Sequence, residues 1–153
     1  MKTLIDTNVL VRLFQPSNPS SVVGTLAIQH LLTANFLPCL VPQNLYELWA
    51  VATRPAERNG VGMSCEDTDA LLQKCLLQFR LLRDERGIFD QWTTLVKAHS
   101  VQGKNAHDAR LVAAMLKHSV PCILTFNGQD FSRFAIKILD PEKVAQGIFP
   151  KNS

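Results

Sequence analysis

The chain has 153 residues, enough to bury one substantial core without metal or disulfide crosslinks, and we expect one domain over residues 1–153. Hydrophobic residues make up 46% and charged residues 19%, as is typical of a soluble globular protein. No apolar run approaches the roughly 18 residues of a membrane span. The net charge of +3 is compatible with a nucleic-acid partner but does not identify one.

The first apolar segment is interrupted by Asp6 and Arg12, which argues against a signal peptide. We therefore expect a cytoplasmic protein that does not enter a membrane. Four cysteines are widely spaced and form no C-x-x-C pair, which favours neither a zinc site nor a disulfide framework. Reduced, mostly buried thiols are the better interpretation of Cys39, Cys65, Cys75 and Cys122.

The first predicted strand leads directly into a helix. The run Thr3–Ile5 suits a short buried strand, and Asp6 to Asn8 are residues that favour turns and helix caps. Apolar residues then recur at helical spacing from Val9 to Phe14. From this segment alone, the simplest interpretation of Asp6 is the N-cap of a helix.

Further along the chain, helical spacing of apolar residues predicts five more helices. Their limits are set by caps, prolines and glycines. They extend from Pro19 to Asn35, from Pro42 to the stop at Pro55, from Ser64 towards Phe79, from Ile88 to near Gly103, and from Asn105 to before Pro121. Between two of them, residues 54–64 predict a long, partly basic loop that is plausibly mobile. The last dozen residues suggest a loose helical tail.

Short apolar runs between these helices predict strands at Leu37–Val41, Cys122–Phe126 and Ile136–Leu139. Residues 79–82 fit either a short strand or the end of a helix. A turn at Asn127–Gly128 is followed by a possible helical turn that contains Asp130. The alternation of strands and helices predicts a parallel sheet with helices on both faces.

In such a fold, ligands bind at the carboxyl edge of the strands, near the point where strand order reverses. Four acids are predicted to reach this edge: Asp6, Glu47, Asp108 and Asp130. Each also has an ordinary explanation. Asp6 and Asp108 suit helix N-termini, Glu47 suits a solvated helix face, and Asp130 suits a turn.

Convergence of the four acids would be costly, because clustered carboxylates repel one another. A hard divalent cation would relieve that repulsion. Oxygen ligands without a neighbouring Cys or His cluster favour Mg²⁺ or Mn²⁺ over zinc. Carboxylates that hold such ions are used to hydrolyse phosphodiesters, and no separate nucleophilic side chain is then needed.

Four segments resemble one known family in order and spacing. They are Leu4-Ile-Asp-Thr-Asn-Val-Leu10, Pro42-Gln-Asn-Leu-Tyr-Glu47, Asp108-Ala-Arg-Leu-Val-Ala-Ala114 and Leu124-Thr-Phe-Asn-Gly-Gln-Asp-Phe131. On these segments the chain resembles the PIN domain, and more particularly the bacterial VapC-type toxin ribonucleases. The resemblance covers nearly the whole chain.

The resemblance implies a three-layer α/β/α sandwich around a central, mostly parallel sheet of four or five strands. It also implies a metal-dependent endoribonuclease that leaves a 5′-phosphate. Our leading hypothesis is that this ribonuclease is the toxin of a type II toxin-antitoxin pair and forms a homodimer. The implied cofactor is Mg²⁺ or Mn²⁺, and the implied partners are RNA and an antitoxin protein.

Residue by residue, Asp6, Glu47 and Asp108 match the three principal metal-binding acids, and Asp130 matches a less uniform fourth. Some members carry another acid near Asn127, and this chain lacks it. The resemblance assigns supporting roles to the segment after the first acid and to two later polar positions: Thr7, Asn8, Thr125 and Asn127.

Two other functions remain open. A receiver-type phosphoacceptor shares the doubly wound fold, but it normally needs adjacent acids after the first strand and a lysine after a late one. A catalytically silent RNA-binding or protein-interaction module would keep the fold without the chemistry. Six basic residues are candidates for RNA phosphate contacts, although surface cations are common: Arg12, Arg54, Arg58, Lys104, Arg110 and Arg133. For Trp49 and Trp92, packing in the core or a dimer interface is favoured over base stacking.

Overall fold

The short apolar runs form one five-stranded sheet in which every neighbouring pair is parallel. The fold comes from a computed structural model that describes residues 1–151, so residues 152 and 153 of the predicted domain lie outside it. The strand order is β3-β2-β1-β4-β5. The strands are β1 (Lys2–Ile5), β2 (Leu37–Leu40), β3 (Arg80–Leu81), β4 (Cys122–Leu124) and β5 (Lys137–Leu139).

Within residues 1–151, seven α-helices connect and cover these strands. Two cores separate them into layers, because α5 and α6 pack on one face of the sheet and the other five helices on the opposite face. This is the predicted α/β/α sandwich. The helices are α1 (Thr7–Leu13), α2 (Ser20–Thr33), α3 (Pro42–Thr53), α4 (Cys65–Gln78), α5 (Ile88–Ala98), α6 (Asn105–Lys117) and α7 (Pro141–Ala145).

The two cores follow from alternation of side chains along the strands. Leu4 of β1 belongs to the core with α5 and α6, whereas the next residue, Ile5, belongs to the core with α1 to α4 and α7. Both residues are completely buried. The central strand therefore holds the two layers together, and the residue that follows it is fixed in position.

The topology reverses direction at β1. The chain moves outward from β1 through β2 to β3, and then crosses the other face through α5 and α6 to reach β4 on the opposite side of β1. The connections on the two sides of β1 therefore diverge and leave a crevice at the carboxyl ends of β1 and β4. Asp6 lies at this point.

Several predicted boundaries change in the structure. Helix α5 ends at Ala98 and not near Gly103. Of the two alternatives for residues 79–82, the structure has the short strand, at Arg80–Leu81. Ser64 caps α4 as predicted, because its hydroxyl accepts from the Asp67 amide at 3.0 Å. Within residues 1–151, no helix combines the length and apolar character needed to span a membrane.

The predicted loop over residues 54–64 contains a 3-10 turn at Ala56–Arg58 and folds back onto the end of α3. The amides of Val61 and Met63 donate to carbonyls of Val51 and Ala52 at 3.0 and 2.8 Å. Gly60 is required here, because an added Cβ would lie 1.9 Å from the Arg54 carbonyl oxygen. The loop is thus tied to α3 by backbone hydrogen bonds.

The cysteines agree with the sequence-based interpretation. All four are free thiols, and three of them, Cys39, Cys75 and Cys122, are buried, whereas Cys65 is exposed. Burial raises the pKa of the Cys75 thiol to about 11, which keeps it protonated at neutral pH.

Candidate active site

Asp6 sits at the junction of β1 and α1 and is only 7% exposed. Its amide donates to the Leu124 carbonyl at 3.0 Å, which extends the pairing of β1 with β4 by one residue. Its carboxylate caps α1, since Oδ1 accepts from the Thr7 amide at 2.7 Å. The N-cap prediction is therefore confirmed. The second oxygen, Oδ2, accepts from the Thr125 hydroxyl at 2.7 Å.

Thr125 joins two other predicted supporting residues, Asn8 and Asn127, to Asp6. While its hydroxyl donates to Asp6, its oxygen accepts from Asn8 Nδ2 at 3.2 Å and from the Asn127 amide at 3.0 Å. The amide oxygen of Asn8 accepts in turn from the Phe126 amide at 3.2 Å. These bonds fasten the start of α1 to the segment after β4 and fix the orientation of the Asp6 carboxylate.

Glu47 projects from the second turn of α3 and is held at both oxygens. The Thr7 hydroxyl donates to Oε2 at 2.7 Å, and Gln43 Nε2 donates to Oε1 at 2.8 Å. The same Gln43 nitrogen donates to the His107 carbonyl at 2.8 Å. Asn44 completes the cluster, because its Nδ2 donates to Thr7 Oγ1 at 3.4 Å. Thr7 thus links the first acid to the second.

Gln43 and Asn44 were assigned no role from the sequence. One signal was present, because Gln43 precedes Glu47 by four residues and so lies one turn below it on the same helix face. Asn44 accepts from the Val41 amide at 2.9 Å through its own Oδ1, which ties the start of α3 to the end of β2. Its contact with Thr7 spans 37 residues and depends on the tertiary fold.

Asp108 lies in the first turn of α6, and Asp130 in the 3-10 turn Gly128–Phe131 that follows β4. In the amide orientation that satisfies both neighbours, Asn105 Nδ2 donates to Asp108 Oδ2 at 3.3 Å. The Asn105 oxygen then accepts from Arg133 Nη2 at 3.2 Å. Arg133 therefore acts on the site through Asn105.

All four predicted acids line one cavity of about 620 Å³. Thr7, Asn8 and Asn127 also line it, whereas Thr125 lies behind Asp6 as its hydrogen-bond donor. Three of the six basic candidates, Arg12, Arg54 and Lys104, form part of the wall. The structure therefore brings the predicted acids together at the carboxyl edge of the sheet, with cations around them.

The carboxylates of the cavity repel one another, and this repulsion contributes to the raised pKa values of Asp6 and Asp108. The pKa of Asp6 is raised from its ordinary value of 3.8 to about 6, mainly by burial; the hydrogen bonds from Thr125 and Thr7 oppose this rise, and the charges of Glu47 and Asp130 contribute to it. The pKa of Asp108 is also raised.

Burial is again the largest cause of the raised pKa of Asp108, which reaches about 7. The carboxylates of Asp130, Asp6 and Glu47 add to it, while the ammonium of Lys104 lowers it. Each acid therefore lies within electrostatic range of the others, and the cluster favours a proton or another cation.

The cations at the rim are differently anchored. The guanidinium of Arg12 lies 4.3 Å from the centroid of the Phe126 ring and donates to the Asn8 carbonyl at 3.4 Å. Arg54 and Lys104 are exposed. The remaining candidate next to the site, Arg110, lines a neighbouring cavity.

Trp92 packs against the core and its indole donates to the Ala106 carbonyl at 2.8 Å, whereas Trp49 is 36% exposed.

The chemistry of the donor set suits a hard divalent cation, since every candidate ligand is a carboxylate oxygen. Among residues 1–151, however, no three His, Cys, Asp or Glu side chains are arranged closely enough to enclose a metal ion by themselves. Hydrogen bonds occupy both oxygens of Asp6 and of Glu47. The acids share a cavity without forming a closed metal cage.

Comparison with protein families gives a match to the model described as "PIN domain", over residues 3–137. No curated protein matches the chain by sequence.

Solved structures share the fold at low sequence identity. VapBC2 from Rickettsia felis, bound to a DNA fragment from their promoter, gives a TM-score of 0.67 at 14% identity, covering 91% of this chain and 98% of that chain. VapBC-1 from nontypeable Haemophilus influenzae gives a TM-score of 0.66 at 15% identity, covering 92% of this chain and 98% of that chain. VapC20 from Mycobacterium tuberculosis, described as a Sarcin-Ricin loop cleaving toxin, gives a TM-score of 0.61 at 13% identity, covering 88% of this chain and 98% of that chain.

Proposed function

Because this chain belongs to the PIN domain family, we propose that it is a metal-dependent endoribonuclease that hydrolyses RNA phosphodiester bonds. The observation that carries this proposal is the shared cavity of Asp6, Glu47, Asp108 and Asp130. The acids come from four separate parts of the sequence, and their mutual repulsion costs stability. A binding function for a cation accounts for that cost.

The proposed cofactor is Mg²⁺ or Mn²⁺, held by the four acids. When bound, such an ion supplies Lewis acidity for attack by water on a phosphodiester and offsets the developing charge. A bound cation would offset the repulsion among these carboxylates. The residues around them have a separate task, which is to keep Asp6 and Glu47 oriented towards the cavity.

That orienting task falls to neutral hydrogen-bond donors. Thr125 holds Asp6 from β4, and Thr7 and Gln43 hold Glu47 from α1 and α3. Neutral donors leave the negative charge of the carboxylates uncompensated, so it remains available to a metal ion. This arrangement, in which neutral donors orient the acids and the acids bind the metal, supports the roles predicted for Thr7, Asn8, Thr125 and Asn127.

RNA would enter an acidic cavity against electrostatic repulsion unless cations at the rim attract its phosphates. Arg12, Arg54 and Lys104 occupy that position. Phosphate contacts of this kind position a nucleic acid without reading its sequence. We therefore assign to these three residues the placement of the RNA backbone across the acids.

We further propose that residues 1–153 act as one domain, work in the cytoplasm as a homodimer, and form the toxin of a toxin-antitoxin pair. The similarity in fold to VapBC complexes supports this biological role. Induced expression in a bacterial host should arrest growth, and Asp108→Asn should relieve the arrest. Growth arrest by both proteins to the same extent would contradict a role based on RNA cleavage.

The direct test is RNA cleavage by purified protein with Mg²⁺ or Mn²⁺. Wild type should cleave, EDTA should stop cleavage, and Glu47→Gln and Asp108→Asn should lose nearly all activity. Asp90→Asn is the matched control, because Asp90 is an exposed acid on α5 outside the cavity. Metal-independent cleavage, or equal cleavage by all four proteins, would overturn the proposal. RNA binding without cleavage by wild type would favour the catalytically silent module.

A further inference from the structure

A second cavity of about 370 Å³ adjoins the acid cavity on the far side of Glu47. The two cavities share Glu47 and Ala50 of α3, so they adjoin each other along this helix. The volume falls within the range of about 300–1,000 Å³ that is usual for small-molecule sites. Six residues line it: Gln43, Tyr46, Glu47, Ala50, His107 and Arg110.

We propose that this second cavity binds one base of the RNA, next to the phosphodiester that is cut, by stacking it on Tyr46. Arg110 contacts a phosphate of the same segment. The proposal rests on the function proposed above in taking RNA as the ligand. It adds a binding site for a flanking nucleotide to the acids and the rim cations.

The residues of α3 that line the two cavities recur at helical spacing along one face of the helix. Residues 43, 47, 50 and 54 follow one another at spacings of three or four and form one stripe along the helix. Val51 lies on one side of this stripe and faces the acid cavity, whereas Tyr46 lies on the other side and faces the second cavity. An RNA chain bound at the acids therefore meets Tyr46 as it continues across α3.

Tyr46 is the chain's single tyrosine, and 65% of its surface is exposed. An aromatic ring in this position offers a face on which any base can stack. Ala50, one turn further along α3, adds only a methyl group and leaves room beside the ring. Isolated exposed aromatic residues need no explanation. Tyr46 differs because it lines a cavity that adjoins the acid cavity along Glu47 and Ala50.

The opposite wall carries a positive charge held in place. Arg110 Nη2 pairs with Asp84 Oδ1 at 3.2 Å, and Nη1 donates to Gln43 Oε1 at 3.4 Å. A guanidinium has five N–H donors, so three remain for a ligand after these two bonds. Such a group suits a phosphate oxygen. Together, a ring and a cation in one cavity match the two parts of a nucleotide.

Gln43 makes the wall rigid. Its nitrogen donates to Glu47 and to the His107 carbonyl, and its oxygen accepts from Arg110. The amide therefore links α3, the start of α6 and the guanidinium, and it also holds an acid of the first cavity. A preorganised wall lowers the entropy lost when a ligand binds. Through Gln43, the two cavities share one fixed boundary.

Binding is measured in EDTA, which removes the metal that cleavage requires. The probes are short oligouridylates, each with one 2-aminopurine at a different position, because stacking quenches the fluorescence of this base. For wild type and Tyr46→Phe, we expect strong quenching at one or two adjacent positions. Tyr46→Ala should abolish that quenching and weaken binding about tenfold, as expected for loss of one stacked base.

Phe89→Ala is the matched control, because Phe89 is 72% exposed, lies on α5 and lines neither cavity. It should bind and quench as wild type does. Arg110→Gln should lower the slope of log affinity against log salt by about 0.7, the share of one phosphate contact on a single strand. Arg110→Lys should restore most of that slope.

The outcomes separate this proposal from the one it rests on. Cleavage with Mg²⁺ together with unchanged binding and quenching in Tyr46→Ala would overturn the base site and leave the nuclease intact. The cavity would then be assigned to a protein partner. Quenching that depends on Tyr46 in a protein that never cleaves RNA would support the base site and overturn the nuclease. Absence of quenching at every position in wild type would also overturn the base site.

Discussion

Asp6 and Asp140 occupy two junctions that are alike in sequence and local structure. Each follows the last residue of a parallel strand and begins a helix, Asp6 between β1 and α1 and Asp140 between β5 and α7. Each caps its helix through Oδ1, which accepts from the Thr7 amide at 2.7 Å or the Glu142 amide at 3.0 Å. Yet Asp6 is buried and Asp140 is exposed.

The difference comes from the place of each strand in the sheet. β1 is central and has β2 and β4 as neighbours, so the segments after those strands bring Glu47 and Asp130 towards Asp6. In the described part of the chain, β5 is an edge strand that pairs with β4 alone. The same residue in the same local role thus becomes part of a charged cavity in one case and a surface cap in the other.

The largest expected effect is on RNA cleavage. Asp6→Asn should lower the rate with Mg²⁺ or Mn²⁺ by at least about 100-fold, because loss of a ligand charge removes several kcal/mol of stabilisation from the transition state. Asp140→Asn should stay within about twofold of wild type, since its junction lies outside the acid cavity. Initial rates measured on the same RNA test the pair. Equal losses in both variants would remove the distinction between the junctions.

The second effect is on stability in EDTA. Folding raises the pKa of Asp6 from 3.8 to about 6, so the folded state binds its proton more tightly than the unfolded state. This contribution stabilises the fold below about pH 4 and is lost as the pH rises through about 6. At pH 8, Asp6→Asn should therefore be more stable than wild type, by up to about 3 kcal/mol.

Urea denaturation between pH 4 and 8 measures this difference, which should shrink towards low pH. Saturating Mg²⁺ should reduce it at pH 8 by stabilising the wild-type carboxylate cluster. A wild-type protein more stable than Asp6→Asn at pH 8 in EDTA would contradict the burial and repulsion inferred for Asp6.

A smaller effect should follow from Thr125→Val, which keeps the shape of the side chain but removes its hydroxyl. The change deprives Asp6 Oδ2 of a donor and leaves Asn8 Nδ2 and the Asn127 amide without their acceptor. We expect a loss of about 1–3 kcal/mol in the free energy of unfolding. Thr125→Ser keeps the hydroxyl and should recover most of it. Urea denaturation at pH 7 compares the three proteins, and a neutral Thr125→Val would contradict the role of this hydroxyl.

The smallest expected effect concerns the surface junction alone. Asp140→Ala removes the cap of α7 and should cost about 1 kcal/mol of stability, whereas Asp140→Asn retains a capping side chain and should cost less. Neither substitution should change RNA cleavage. Thermal denaturation and initial rates provide the two measurements. A loss of cleavage at constant stability would show that Asp140 acts on the site.

Much of the fold could be predicted because its signals are local. Helical spacing, prolines and caps located α2, α3 and α6 to within a few residues, and short apolar runs located β2 and β4. The end of α5 was less accurate, and no signal in the sequence indicated that the loop correctly predicted over residues 54–64 folds back onto α3. There the outcome depends on backbone contacts such as those of Val61 and Met63 with α3, which leave no periodic signal in the sequence.

The candidate site was predicted in part for the same reason. The four acids could be named because parallel strands place their carboxyl ends on one edge and because the segments resemble those of PIN domains. Gln43 and Asn44 could not be assigned, since their partners Thr7, His107 and Arg110 lie far away in the sequence. The second cavity was missed because it depends on how α3 and α6 pack against each other.

The sequence by itself determined the alternation of strands and helices apart from β3, the capping role of Asp6 and the set of acids that can reach one edge of the sheet. Only the tertiary structure decided that Asp6 is buried among three other acids while Asp140 remains exposed. The physical reason is that capping depends on neighbouring backbone atoms, whereas burial and repulsion depend on the position of β1 between β2 and β4. The concentration of negative charge around Asp6 therefore depends on the whole fold.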